Sequence, residues 1–294
     1  MKRIVQVLVV LAMVFMALPL QAQQNGTLKG VVVLKGEVPK NPTIEIPTDR
    51  DYCGSKKTIP EFIVGANGQL KNAVVWLEGV KSPAVLPKKD VYITIKDCFP
   101  TKRVSIGFVG SNFIFKNEDP ILHTVQLKLW LEYQRHVSRR PLKEGATIYN
   151  VALPKMAMVV KRPIKRYHRY TKDTGMIRIT SNTHPWMSGY IFVFDHPYAQ
   201  VTDKSGKFKI EGIPAGHYKL MIWHEGIGIV EKEVDIKPGK VTNITIQLSR
   251  QPEAKFRETS YDFGTIKVGQ KVSHKFMVEN KGNAVLKIVE LIPA

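Results

Sequence analysis

Residues 175–193 read Gly175-Met176-Ile177-Arg178-Ile179-Thr180-Ser181-Asn182-Thr183-His184-Pro185-Trp186-Met187-Ser188-Gly189-Tyr190-Ile191-Phe192-Val193, and this stretch decides the fold. Its two ends are rich in β-branched and aromatic residues and read as strands. Between them, residues 181–187 gather His, Pro, Trp and Met into one loop. Working outward, the runs 28–34, 73–77, 91–95, 103–108, 113–116 and 124–129 share the same composition. So do 207–210, 218–223, 230–236 and 242–248. Turn residues separate them, as at Asn67-Gly68, Asp203-Lys204-Ser205-Gly206 and Pro214-Ala215-Gly216. Short strands spaced by such turns predict an all-β chain of stacked sandwiches, not βαβ units. Helical periodicity is weak; only a helical turn near Trp130–Tyr133 is expected.

The chain opens on Met1-Lys2-Arg3, continues through an apolar run from Ile4 to Leu20 with small interruptions, and reaches a small residue at Ala22. A charged start, a short apolar core and a small-residue exit read as a secretory signal peptide over 1–22. The run is short for a bilayer span of about 20 residues, and no later segment is apolar enough to cross. The expected mature product is therefore periplasmic or secreted, without a transmembrane segment. The formal charge of +19 favours acidic partners. Basic residues concentrate at 135–140 and 161–170. Export, and the absence of a groove-reading helix pattern, argue against nucleic acid; these clusters read as a solvated basic loop. Cys53 and Cys98 are the only cysteines. In an exported protein such a pair reads as a structural disulfide, with a thiolate metal ligand as the alternative.

Residues 90–196 resemble the cupredoxins, on several matching motifs. Val91-Tyr92-Ile93-Thr94-Ile95 leads to Cys98-Phe99-Pro100. Asn117-Glu118-Asp119 precedes His123, and the His184-Pro185-Trp186-Met187 loop precedes a last strand. The loop form is similar to an exported family described as plastocyanin-like or methylamine-utilization-like. The resemblance implies a Greek-key sandwich and the copper ligands His123, His184 and Met187. It also places Ser181 where the family has its cysteine. A blue-copper site needs two imidazoles and a thiolate, with a weak axial Met, so the expected site is a non-blue His/Met one. In the same family Asp195-His196 and Trp223-His224-Glu225 recur, which suggests His196, His224 and Glu225 as neighbours of the site. The plainer reading makes each histidine a surface residue beside a buried aromatic.

Two further resemblances complete the chain. Thr202-Asp203-Lys204-Ser205-Gly206-Lys207-Phe208 followed by Pro214-Ala215-Gly216-His217-Tyr218 is similar to the carboxypeptidase regulatory-like, or transthyretin-like, sandwich. Residues 30–36 and 71–77 resemble its opening strands, so a discontinuous domain over 27–80 and 197–249 is expected, with the cupredoxin unit inserted. A Cys53–Cys98 disulfide would then tie host to insert. After a linker at 250–255, residues 256–294 resemble the start of a Hydin-type immunoglobulin-like domain, on Tyr261-Asp262-Phe263-Gly264 and Glu279-Asn280-Lys281-Gly282.

The sequence thus points to an exported copper-binding protein related to electron transfer or copper handling, with an acidic redox or envelope protein as partner. The alternative is a metal-free β-sandwich scaffold for an envelope protein or a glycan. There is no Ser-His-Asp order with a nucleophile elbow, no His-Glu-x-x-His, no phosphate loop and no haem Cys-x-x-Cys-His. The expectation is that the chain is not an enzyme.

Overall fold

The computed structural model describes residues 25–81, 85–129, 145–166, 174–250, 252, 254–280 and 286. The expected signal segment, the helical turn near residue 130 and the basic cluster 135–140 lie outside these. Within them the chain is all-β, the four-residue helix Arg50–Cys53 excepted.

Two sandwiches stack face to face. The one carrying the loop has a five-stranded sheet in the order Thr147–Leu153, His123–Leu129, Thr174–Thr180, Gly189–Phe194, Val104–Phe108. Its second sheet runs Val159–Pro163, Asn112–Asn117, Val91–Lys96, Phe99–Pro100. Each sheet holds one parallel pair, Gly189–Phe194 with Val104–Phe108 and Val91–Lys96 with Asn112–Asn117. Between the sheets lie Ile93, Ile95, Phe113, Phe115, Val125, Leu127, Ile177 and Ile191, all buried. Val159–Pro163 corrects the basic-loop reading: Lys161 and Arg162 are strand residues paired with Ile114 and Phe113.

The other sandwich is built from both ends of this region of the chain. Gly26–Leu34 lies between Lys207–Ile213 and Val241–Leu248, antiparallel to the first and parallel to the second. Facing it is the sheet Ala199–Val201, Val74–Glu78, Gly216–His224, Gly228–Ile236. At Gly30 a Cβ would lie 2.6 Å from the Phe208 ring and 2.7 Å from the Ile244 carbonyl oxygen. Only glycine lets the three strands close around that ring.

Strand periodicity explains how the sandwiches join. Side chains alternate between the two faces of a strand. In Gly189–Phe194, Ile191 and Val193 point into the loop sandwich, while Tyr190, Phe192 and Phe194 point out of it. In Val74–Glu78, Val75 and Leu77 face their own core, and Val74 and Trp76 face outward. The outward residues meet, together with Met221 and Trp223, in a third apolar layer between the sandwiches. A strand covered on both faces must be apolar throughout, which accounts for the uninterrupted run at 190–194.

Toward the C-terminus, Ala254–Phe256 pairs with Val278–Asn280 in a two-stranded sheet. Ala254 and Lys255, inside the expected linker, already belong to that strand.

Candidate metal centre

The loop is held by hydroxyls. Ser181 Oγ accepts the His184 N–H at 3.1 Å and lies 3.1 Å from both Thr124 Oγ1 and Thr183 Oγ1. Thr124 Oγ1 in turn accepts the N–H groups of Asn182 and Thr183, at 3.0 and 3.1 Å. Since Thr124 follows His123, this knot fastens the loop beside the first residue of the His123–Leu129 strand. Met187 N–H closes a turn onto the His184 carbonyl at 2.9 Å. Ser181 therefore builds the loop, and no sulfur is present at its position.

His123 and His184 come together at the rim of the core. Their Nδ1 atoms are 2.8 Å apart, and both residues are fully buried. His123 Nε2 lies 2.8 Å from Asp119 Oδ2, and His184 Nε2 lies 2.9 Å from Asp49 Oδ2. An ionised carboxylate only accepts, so each Nε2 carries a hydrogen. At this distance the two Nδ1 atoms either share one hydrogen, one Nδ1–H donating to the other Nδ1, or leave both lone pairs to a metal cation. Burial pushes the His123 imidazole below its ordinary range; Asp119 opposes this and His184 adds to it. Thr183 Oγ1 also lies 3.2 Å from His184 Nδ1, and imidazoles whose other nitrogen is braced by a carboxylate suit metal ligation. The pair fits a cation; a thiolate donor at Ser181 is lacking.

Asp119 is fixed by its own turn. Asn117 Nδ2 donates to the Ile121 and Leu153 carbonyls, and Asn117 Oδ1 accepts the Asp119 N–H at 2.8 Å. The Asp119 carboxylate accepts from Asp97 N–H, Cys98 N–H and the Tyr52 hydroxyl at 2.8, 2.9 and 2.9 Å. Burial raises this carboxyl, but these donors and His123 outweigh it and leave it below its usual range. Asp97 and Cys98 both have positive φ, 52° and 63°, which turns the hairpin and points both N–H groups at Asp119.

Of the short segment at 49–53 only Cys53 was read from the sequence, yet the segment reaches every part of this site. Asp49 contacts His184, Tyr52 contacts Asp119, and Cys53 forms a disulfide with Cys98 across a Cα separation of 5.7 Å. No motif marks it, because Asp49 stands 135 positions from His184 in the chain. The Asn117-x-Asp119 signal was visible, but not the bracing role of its carboxylate.

The remaining sequence candidates sit as follows. Met187 is buried in the same cluster as Trp186, whose ring lies 4.9 Å from His184. Glu225 forms a double hydrogen bond with Arg103, at 2.6 and 2.5 Å, and Arg103 also donates to Ser188, next to Met187. Neither His196 nor His224 is at the surface; both are fully buried. His196 packs on Phe194 and Tyr198, and His224 on Phe62. Burial, reinforced by Arg103, pushes the His224 imidazole down to about 4.

Compared with known proteins, residues 174–244 match the family model described as polysaccharide lyase family 4, domain II. No curated protein matches. Among solved structures, the chain is similar to a mutant of amicyanin in its reduced Cu(I) form at pH 4. That pair is 13% identical, with 40% of this chain and 97% of that one covered and a TM-score of 0.24. Another amicyanin mutant in the reduced state gives 15%, 42%, 98% and 0.25. The copper-containing nitrite reductase of Thermus scotoductus SA-01 gives 18%, 40%, 24% and 0.23. At these scores the all-β sandwich assignment rests on the strand topology itself. The carboxypeptidase regulatory-like and Hydin-type resemblances have no counterpart among these matches. The expectation that the chain is not an enzyme is corrected: the family model that matches describes a domain of an enzyme family. Missing sequence motifs do not exclude catalysis, because catalytic groups converge from distant parts of a fold.

Proposed function

We propose that this chain is an exported, cupredoxin-like copper-binding protein with a non-blue site at His123, His184 and Met187. The observation that carries the reading is the buried imidazole pair, Nδ1 to Nδ1 at 2.8 Å, with each Nε2 braced by a carboxylate. Copper bound there would supply one-electron chemistry or simple storage. Asp119 and Asp49 orient the rings, and Trp186 shields the His184 ring. Met187 would contribute a soft thioether, which suits Cu(I). On this reading the partner is an acidic redox or envelope protein, drawn by the excess positive charge, and the location is the periplasm or beyond. The cupredoxin unit at 90–196 is then an insertion into the sandwich formed by 27–80 and 197–249. The experiment is titration of the purified protein with Cu(I) and Cu(II), separately, with His123→Ala and His184→Ala as controls. One equivalent bound, and lost in both variants, supports the reading. Binding indifferent to both substitutions would sink it.

A second reading, glycan binding, has its own support. The matched family takes its name from polysaccharide lyases. A cleft of about 580 Å³ opens between the sandwiches, lined among others by Lys71, Asn72, Lys89, Tyr92, Lys102 and Gln200. Concave sites with a few convergent polar groups at such junctions commonly hold ligands. Affinity electrophoresis against neutral and acidic polysaccharides, with Tyr92→Ala as control, separates this reading from the first.

A further inference from the structure

We propose that reduction of the Cys53–Cys98 disulfide uncovers a second metal site, built from Cys98, Asp119 and His123 with Cys53 as fourth donor, for a borderline-soft divalent cation of the zinc type. The inference does not depend on copper at the imidazole pair. The sulfur of Cys98, a carboxylate oxygen of Asp119 and a ring nitrogen of His123 all lie within 4.8 Å of one another. All three residues are fully buried, and Cys53 is 2% exposed. A tetrahedral site with bonds of about 2.0–2.3 Å places its donors about 3.3–3.8 Å apart, so these three need only draw together; Cys53 stands outside this set, bonded to Cys98, and joins it by side-chain rotation once the S–S bond opens.

The surroundings already hold the donors in place. The Cys98 N–H is anchored on Asp119 Oδ2, the oxygen that His123 Nε2 also contacts. Cys53 closes the short helix Arg50–Cys53, and the neighbouring Tyr52 is itself bonded to Asp119. In the disulfide state both sulfurs are committed to each other. A dithiol reductant changes that: it gives two electrons and two protons, the S–S bond breaks, two thiols form and the reductant leaves as its own disulfide. Cation binding then forms two metal–sulfur bonds and releases the two thiol protons to solvent. Thiolates, imidazole and carboxylate are the donors that zinc takes in four-coordinate sites. Asp119 serves either the His123–His184 pair or the sulfur site, so the redox state of one bond selects between two metal preferences.

The test reduces the full-length protein with a dithiol under anaerobic conditions, removes the reductant, and titrates with Co(II) and then Zn(II). The expected result is one equivalent of Co(II) with thiolate-to-cobalt absorption in the reduced protein only, displaced by Zn(II). Affinity should fall at least tenfold in Cys98→Ser and Asp119→Asn and persist in His184→Ala, which removes the imidazole pair alone. Cys53→Ser keeps Cys98 unpaired without any reductant, and it should bind Co(II) with a weaker band. Should the reduced chain unfold, cobalt taken up by free cysteines would be indifferent to Asp119→Asn, and that outcome overturns the proposal. So does a reduced, folded protein that takes up no cobalt. Loss of copper binding by the oxidised protein would touch only the copper reading.

Discussion

Asp49 and Asp119 brace the two imidazoles from opposite sides, but in different surroundings. Asp119 is fully buried, whereas the Asp49 side chain is 47% exposed. Removing an outer carboxylate of this kind costs about 10–100-fold in metal affinity. Asp119→Asn should fall in that range, and Asp49→Asn should lose less because water replaces part of its contact; competitive Cu(I) titration reads both. Ser181 offers the converse test. Installing a thiolate with Ser181→Cys completes two imidazoles, one sulfur and one thioether, and Cu(II) should then give an intense band near about 600 nm. The unsubstituted protein should give none. Copper bound by Ser181→Cys without colour would mean that the loop does not present residue 181 to the metal. At this scale His123, His184 and Ser181 were legible because they sit in short local motifs. Asp49 and Tyr52 were not, because only the tertiary fold carries them to the loop.

At the scale of elements, the connection before the Val104–Phe108 strand and the turn after Gly216–His224 are tied by Arg103 and Glu225. Their side chains are only 10% and 3% exposed. Burial holds the Glu225 carboxyl above its usual range, and the Arg103 guanidinium offsets only part of that rise. Breaking one partner of a buried pair costs about 3–5 kcal/mol, because the other is left buried and uncompensated. Glu225→Ala should lower stability by about that much in urea unfolding. Replacing both residues by apolar ones should recover most of the loss, which a double-mutant cycle would measure. The sequence marked Glu225 through a recurrent tripeptide and did not single out Arg103. Ion pairs across 122 positions leave no periodic trace. Strands read from composition lie close to where they form, since β-branched and aromatic runs bounded by turn residues are local signals. The short hairpin of Thr43–Glu45 with Lys56–Thr58 was missed; it has three residues on each side and mostly charged or exposed ones.

Over the whole molecule, the layer of Trp76, Phe192, Phe194 and Trp223 between the sandwiches couples their stability. His224, next to Trp223 in the chain, turns its ring onto Phe62 in the neighbouring core and is buried and held neutral: desolvation, then the Arg103 charge, bring its pKa down to about 4, against an ordinary value of 6.5. The unfolded chain binds this proton first, so stability is fully present above about pH 6.5. It is lost as pH falls through that window and levels off below about 4. The group is worth about 3 kcal/mol across the window. Denaturant melts between pH 7 and pH 4 should show this loss, and His224→Gln should flatten the pH profile while lowering stability at neutral pH. An unchanged profile would assign the acid sensitivity elsewhere. Among the described residues no helix is long and apolar enough to cross a membrane.

The all-β class, the loop of residues 181–187 and the absence of sulfur at Ser181 can be read without the fold. Each of these is written in contiguous residues and in strand periodicity. The disulfide expected of Cys53 and Cys98 forms. That the imidazoles face each other, and that Asp49 and Asp119 brace them, came only with the tertiary fold. A resemblance had joined residues 27–80 to 197–249, but the order and register in which their strands pair came from the fold as well. The physical reason is common to all of them. These contacts join positions far apart in the chain, and they exist only once burial of the three apolar layers has paid the entropy of bringing those segments together.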